Sequence, residues 1–221
     1  MKYNNVYKGT RFLIASEIIS IIGLLIYIVV AAVMITVTGG DVSHIVVQHF
    51  YNITGNYQII GISNYVMIGL LIISYIALVI GISKTRNEDT DFDKAFSFVC
   101  MGIVAYTIYM LFSGGWIGVL FSAISGILFL FFRLRFISAV GHIAEKIDRN
   151  DIKDKVKFYS AVMIAITVMQ LVCLFVSGAF LPFSTLTAVT ASVLSTVKAV
   201  MFIVFLSKTL KMLKEQNGGA L

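Results

Sequence analysis

The sequence predicts an all-α, polytopic membrane protein folded as a bundle of six transmembrane helices. Of its 221 residues, 59% are hydrophobic and only 13% are charged, whereas soluble domains carry about a quarter charged residues. Long apolar runs recur along the chain, and about 20 apolar residues are enough to cross a bilayer as a helix. Pro182 is the only proline, which suits long, uninterrupted helices.

Apolar runs and their polar interruptions divide the chain into six spans within a single transmembrane domain. The spans cover residues 12–38, 59–83, 95–113, 116–139, 157–180 and 184–207. The first run is too long for a signal-peptide core and lacks a small-residue cleavage pattern, so we expect it to be a true span.

Lysine and arginine residues predict the orientation of these spans. All but one of the 17 basic residues fall at one end: before span one, between spans two and three, around the junction of four and five, and after span six. The opposite connections, residues 39–58, 114–115 and 181–183, contain neither lysine nor arginine. Because positive charge is retained on the cytoplasmic side, we predict a multi-pass protein of the cell (cytoplasmic) membrane with both termini cytoplasmic.

The same charge distribution bears on partners. A ring of basic residues at the membrane surface meets anionic lipid headgroups. Nucleic-acid binding needs a folded basic face with interleaved aromatic residues outside the membrane, and the sequence has no such domain. The predicted partner is therefore the lipid bilayer, with no nucleic acid.

The connection between the fourth and fifth spans has its own periodicity. Phe136, Val140, Ile143 and Ile147 recur at helical spacing within a polar segment. This pattern predicts that the fourth helix continues beyond the bilayer as an amphipathic extension.

Two ionisable side chains stand inside the predicted spans. Glu17 lies about 9 Å above Arg11 in the first helix, and Lys198 lies about 15 Å above Lys208 in the sixth. The lysine stem can extend toward the basic end, which brings its ammonium group to the depth of Glu17. An unpaired charge in hydrocarbon is costly, so we predict a Glu17–Lys198 ion pair.

This predicted pair has two interpretations, and three further polar residues bear on the choice. The pair either clamps the first helix to the sixth, or serves as a proton, ion or anion site in the bundle core. Ser195 shares the helix face of Lys198, Gln170 lies near the middle of span five, and Asn64 lies in the outer part of span two. These three side chains line a polar core or form interhelical hydrogen bonds.

Small residues recur at every fourth position in the fourth span. They form a ridge on one helix face and are Gly114, Gly118, Ser122 and Gly126. Such ridges let two helix backbones approach closely, so we predict tight packing within the bundle. The alternative is a contact face for a homo-oligomer or a partner membrane subunit.

Two groups of side chains raise the question of metal binding. The loop of residues 39–58 holds one aspartate and two histidines at spacings of three and five, which is not a known ligand pattern. Aspartates alternate over residues 89–93 as at the start of a calcium loop, but Lys94 and Cys100 stand where that loop needs glycine and glutamate. We predict a capped, solvated turn there, no metal site and no cofactor.

The sequence carries no phosphate-binding loop, zinc-protease motif or nucleophile elbow, so we predict no enzymatic activity. The predicted function is to bind or conduct a small solute or ion through the polar core of the bundle. The alternative is a non-transporting accessory or scaffold subunit. Such a subunit packs on a partner through the small-residue ridge and the cytoplasmic loops.

Overall fold

A computed structural model describes residues 3–38, 57–112, 116–179 and 184–216. These residues form six long helices: α1 (Asn4–Thr38), α2 (Tyr57–Thr85), α3 (Thr90–Leu111), α4 (Trp116–Lys146), α5 (Asn150–Ala179) and α6 (Ser184–Gln216). A short 3-10 turn, Arg86–Glu88, joins α2 to α3. No strand occurs within the described ranges, and all six helices are long and apolar enough to cross a membrane. The predicted all-α, six-helix class is confirmed.

All six helices extend beyond their predicted spans at the same end of the bundle. This end, called the basic end below, carries the α2–α3 and α4–α5 connections, the start of α1 and the end of α6. α1 already begins at Asn4, and α6 continues to Gln216. The predicted spans stopped at charged residues, which end the apolar run without breaking the helix.

The amphipathic extension of α4 is present as predicted. Phe136, Val140 and Ile143 are fully buried on one face of the helix. α4 ends in a Schellman-type turn, in which Asp148 adopts a left-handed φ of 56° and the Arg149 amide donates to the Ala144 carbonyl at 2.8 Å. The chain therefore reverses tightly into α5 at the basic end.

The helices form a closed ring. Each helix packs on its neighbour in the chain, and α6 packs on α1. Aromatic side chains from α4 and α6 fill the centre: the rings of Phe132 and Phe136 each lie 5.9 Å from the ring of Phe202. All three are buried, so the described apolar core joins the first half of the ring to the second.

Candidate functional site

Glu17 on α1 and Arg133 on α4 form a buried ion pair. Arg133 Nη2 donates to Glu17 Oε1 at 2.7 Å, and the two side chains are only 13% and 6% exposed. The guanidinium group also lies 5.4 Å from the centre of the Phe202 ring, a favourable cation–π arrangement. The structure thus corrects the predicted Glu17–Lys198 pair, because Arg133 is the cation bonded to the carboxylate.

The sequence placed Arg133 among the basic residues at the membrane surface, and the structure places it inside. The apolar run "LFLFF" ends at Arg133, so the arginine resembled the boundary of the span. However, α4 continues as a helix, and Phe136 and Ile137, three and four residues later, are both fully buried. Residues at this spacing share a helix face. Reading the α4 stripe backwards from Phe136 would have assigned Arg133 to the interior.

Lys198 is 8% exposed and belongs to a second polar group between α5 and α6. Its ammonium group donates to the Gln170 side-chain oxygen. The Gln170 amide nitrogen donates in turn to the Ser195 hydroxyl and, at 3.2 Å, to the Ala191 carbonyl. The structure thus brings together three of the predicted polar residues. Asn64 lies on α2, which packs on α1 and α3, and its side chain is outside the described residues.

The two polar groups lie close together along α6. The Arg133 guanidinium stands over the ring of Phe202, which follows Lys198 by one helical turn and shares its buried face. Four helices, α1, α4, α5 and α6, therefore contribute to one site that contains two basic side chains, one carboxylate, one amide and one hydroxyl. We call Glu17, Arg133, Gln170, Ser195 and Lys198 the polar core.

The tight packing predicted along the small-residue ridge of α4 is absent at Gly126 and stays a prediction at the other ridge positions. Gly114 lies outside the described residues, Gly118 is buried, and Ser122 is half-buried. At Gly126, an added Cβ would have open space, with no atom of another described element within 4 Å. The close contact between α3 and α4 instead uses Ser125, whose hydroxyl donates to the Gly102 carbonyl at 3.1 Å.

A second cluster of charged side chains lies at the basic end. Asp89 caps α3 as predicted, accepting from the Asp91 amide at 2.9 Å, but Asp91 is buried rather than solvated. Ligand atoms of Asp89, Asp91 and His142 lie within 4.8 Å of one another. Arg135 and Ser138 bond the Asp91 carboxylate at 3.3 and 2.8 Å. Two lysines approach the carboxylates as well, so basic side chains already balance these acids.

Six apolar helices around a buried polar core define the class of this molecule, a multi-pass integral membrane protein that lies in a lipid bilayer. No protein-family model, curated protein or solved structure matches the chain. The polar core is therefore the feature that bears on the particular function.

Proposed function

We propose that this protein binds or conducts a small solute or ion through the polar core, without enzymatic activity. In this proposal the basic end faces the cytoplasm of a cell membrane, as the positive-inside rule requires. The observation that carries the proposal is Lys198, a buried basic side chain whose bonded partner is a neutral amide. Ionisable groups that face the interior of a membrane bundle typically mark a substrate or ion pathway.

A purely structural clamp gives a poorer account of the site. The Glu17–Arg133 pair alone ties α1 to α4, and it balances one positive charge with one negative charge. Lys198 then adds a second basic side chain for which the described residues provide no bonded carboxylate. Burying such a charge costs free energy that a simple apolar residue would avoid. Binding of a solute accounts for this cost, because the charge is then used for recognition.

Thermal unfolding of the purified protein in lipid nanodiscs tests this proposal. We expect at least one member of a panel of cations, anions, sugars and amino acids to raise the unfolding temperature saturably. The Lys198→Met variant should lose this response, because the binding charge is gone. Lys211→Met removes an exposed lysine from the same helix and should keep the response. A panel without any saturable response, or equal responses in the two variants, would contradict the proposal.

A second candidate function rests on the open face at Gly126. With no described element against it, this glycine leaves α4 free to approach a helix of another protein closely. An accessory subunit would retain a stoichiometric membrane partner on purification in mild detergent, and Gly126→Leu would release it. Retention of such a partner together with no solute response would favour the accessory function over the solute-binding one.

A further inference from the structure

Two buried polar atoms near the polar core have no hydrogen-bond partner within the described part of the chain. They are Arg133 Nε and Thr167 Oγ1. Buried donors without partners are rare in folded proteins, and each costs about 1–3 kcal/mol when left unsatisfied. An acceptor bound at these atoms would remove this cost.

The Thr167 hydroxyl is unusual among the described threonines of these helices. Four others donate to the carbonyl four residues earlier, as helical threonines commonly do; these are Thr10, Thr107, Thr196 and Thr209. Thr167 is 2% exposed and makes no such bond. Its hydroxyl is therefore available to another acceptor.

The helix register places Thr167 at the level of Lys198. Gln170 on α5 bonds Ser195 on α6, and Tyr159 packs its ring on Phe205 further toward the basic end. In this antiparallel register, Thr167 stands opposite Lys198. Thr167 also precedes Gln170 by three residues and so shares its helix face.

The charges at the site favour a negative ligand. Arg133 and Lys198 are basic, and Glu17 is the carboxylate bonded to Arg133, which leaves one unit of positive charge in excess when all three are ionised. The donors left over, namely the guanidinium Nε, the threonine hydroxyl and the ammonium group, all bond well to an anion. Rings of arginine and lysine likewise select anions in membrane pores.

We propose that the ligand of the polar core is a small monovalent anion, held by Arg133, Lys198 and the Thr167 hydroxyl. This inference rests on the proposed function and names its substrate class. A single negative charge balances the excess present when all three groups are ionised. Glu17 bonds Nη2 of the guanidinium and leaves Nε as a free donor for the anion. Chloride, nitrate and formate have this chemistry, and the much larger gluconate serves as the reference anion.

The test uses the full chain in nanodiscs of zwitterionic lipid, which supply no anionic headgroup. Sodium chloride, nitrate or formate replaces sodium gluconate at constant ionic strength, and thermal unfolding reports binding. We expect a saturable rise in the unfolding temperature for at least one of the three anions. Thr167→Val keeps the side-chain shape and removes the hydroxyl, so it should weaken binding about tenfold. Thr107→Val, at an exposed and internally bonded threonine, should leave binding unchanged.

A second variant keeps the test decisive if Thr167→Val does not fold. Arg133→Lys retains a cation for Glu17 but removes the Nε donor, and we expect it to weaken anion binding at least tenfold. Equal anion responses in Arg133→Lys, Thr167→Val and Thr107→Val would indicate a general salt effect and overturn the inference. A Lys198-dependent response to a cation or a neutral solute would overturn the inference and leave the proposed function standing. No response to any solute would overturn both.

Discussion

At the scale of single residues, the polar core is asymmetric in its charges. Glu17 is the one acidic side chain of the core, while Arg133 and Lys198 are both basic. Arg133 is bonded directly to the carboxylate, whereas Lys198 is bonded to Gln170 one helical turn from Phe202, over which the guanidinium stands. Removing the acid therefore leaves two buried cations, whereas removing Arg133 leaves a carboxylate and a lysine that can still balance each other.

This asymmetry predicts the order of three variants. We expect Glu17→Gln to reduce the stability of the protein by about 3–5 kcal/mol, because it leaves the buried Arg133 and Lys198 side chains without a carboxylate. Arg133→Gln should be milder, since Lys198 remains to balance Glu17. Adding Lys198→Met to Glu17→Gln should recover part of the loss. Thermal unfolding in one detergent measures all of these, and equal losses for Glu17→Gln and Arg133→Gln would show that the charges are not coupled in this way.

At the scale of elements, α1 and α2 approach each other closely at two glycines. A Cβ at Gly9 would stand 2.5 Å from the Gly81 carbonyl oxygen, and a Cβ at Gly81 would stand 3.0 Å from the Gly9 oxygen. About two helical turns further from the basic end, the Ser74 hydroxyl donates to the Ser16 carbonyl at 3.1 Å. Close backbone approach and interhelical hydrogen bonds together define this pair of helices.

This contact predicts which glycines tolerate a methyl group. Gly9→Ala and Gly81→Ala should each destabilise the protein by about 1–3 kcal/mol, because backbone atoms must move to admit the Cβ. Gly23→Ala on α1 and Gly69→Ala on α2 are matched controls, since an added Cβ meets nothing within 4 Å there. Alanine favours helix over glycine, so the controls should be neutral or slightly stabilising. Losses of the same size at all four positions would contradict the assignment of the contact.

At the scale of the whole molecule, the ring of helices has two unlike ends. The basic end carries exposed charged side chains, and some of them form ion pairs. Arg149 Nε lies 2.8 Å from Asp151 Oδ1, and Arg149 Nη1 lies 2.5 Å from Glu215 Oε2. These bonds, first with Asp151 and then with Glu215, raise the pKa of Arg149. The opposite end, where described, presents the exposed aromatic Trp116. Tryptophan is enriched at membrane interfaces, so the two ends suit opposite membrane surfaces.

The proposed orientation predicts which positions are reached from outside the cell. In a chain whose cysteines are replaced (Cys100→Ala and Cys173→Ala), Trp116→Cys should react with a membrane-impermeant maleimide on intact cells. Lys146→Cys, exposed at the basic end, should react only after permeabilisation. Labelling of the permeabilised cells at both positions is the control for reactivity. The reverse pattern would place the basic end outside.

Local composition and periodicity were enough to predict the class, the number of helices and the extension of α4. Each of these follows from the free energy of placing a segment in lipid or water, which depends mainly on the segment itself. The ends of the helices were predicted less well at the basic end. Charge ends a membrane span, but it does not end a helix, and α1 continues down to Asn4.

The composition of the polar core depended on tertiary structure. Sequence position alone gave the depth of Glu17 and Lys198, but a depth does not specify which helices are neighbours or which way a long side chain extends. Because of the ring order and the inward face of α4, Arg133 bonds Glu17, and Lys198 bonds Gln170 instead. The sequence by itself therefore determined a six-helix membrane protein with buried charges. Only the folded bundle decided which charges meet, because ion pairing depends on distances between helices that no single segment contains.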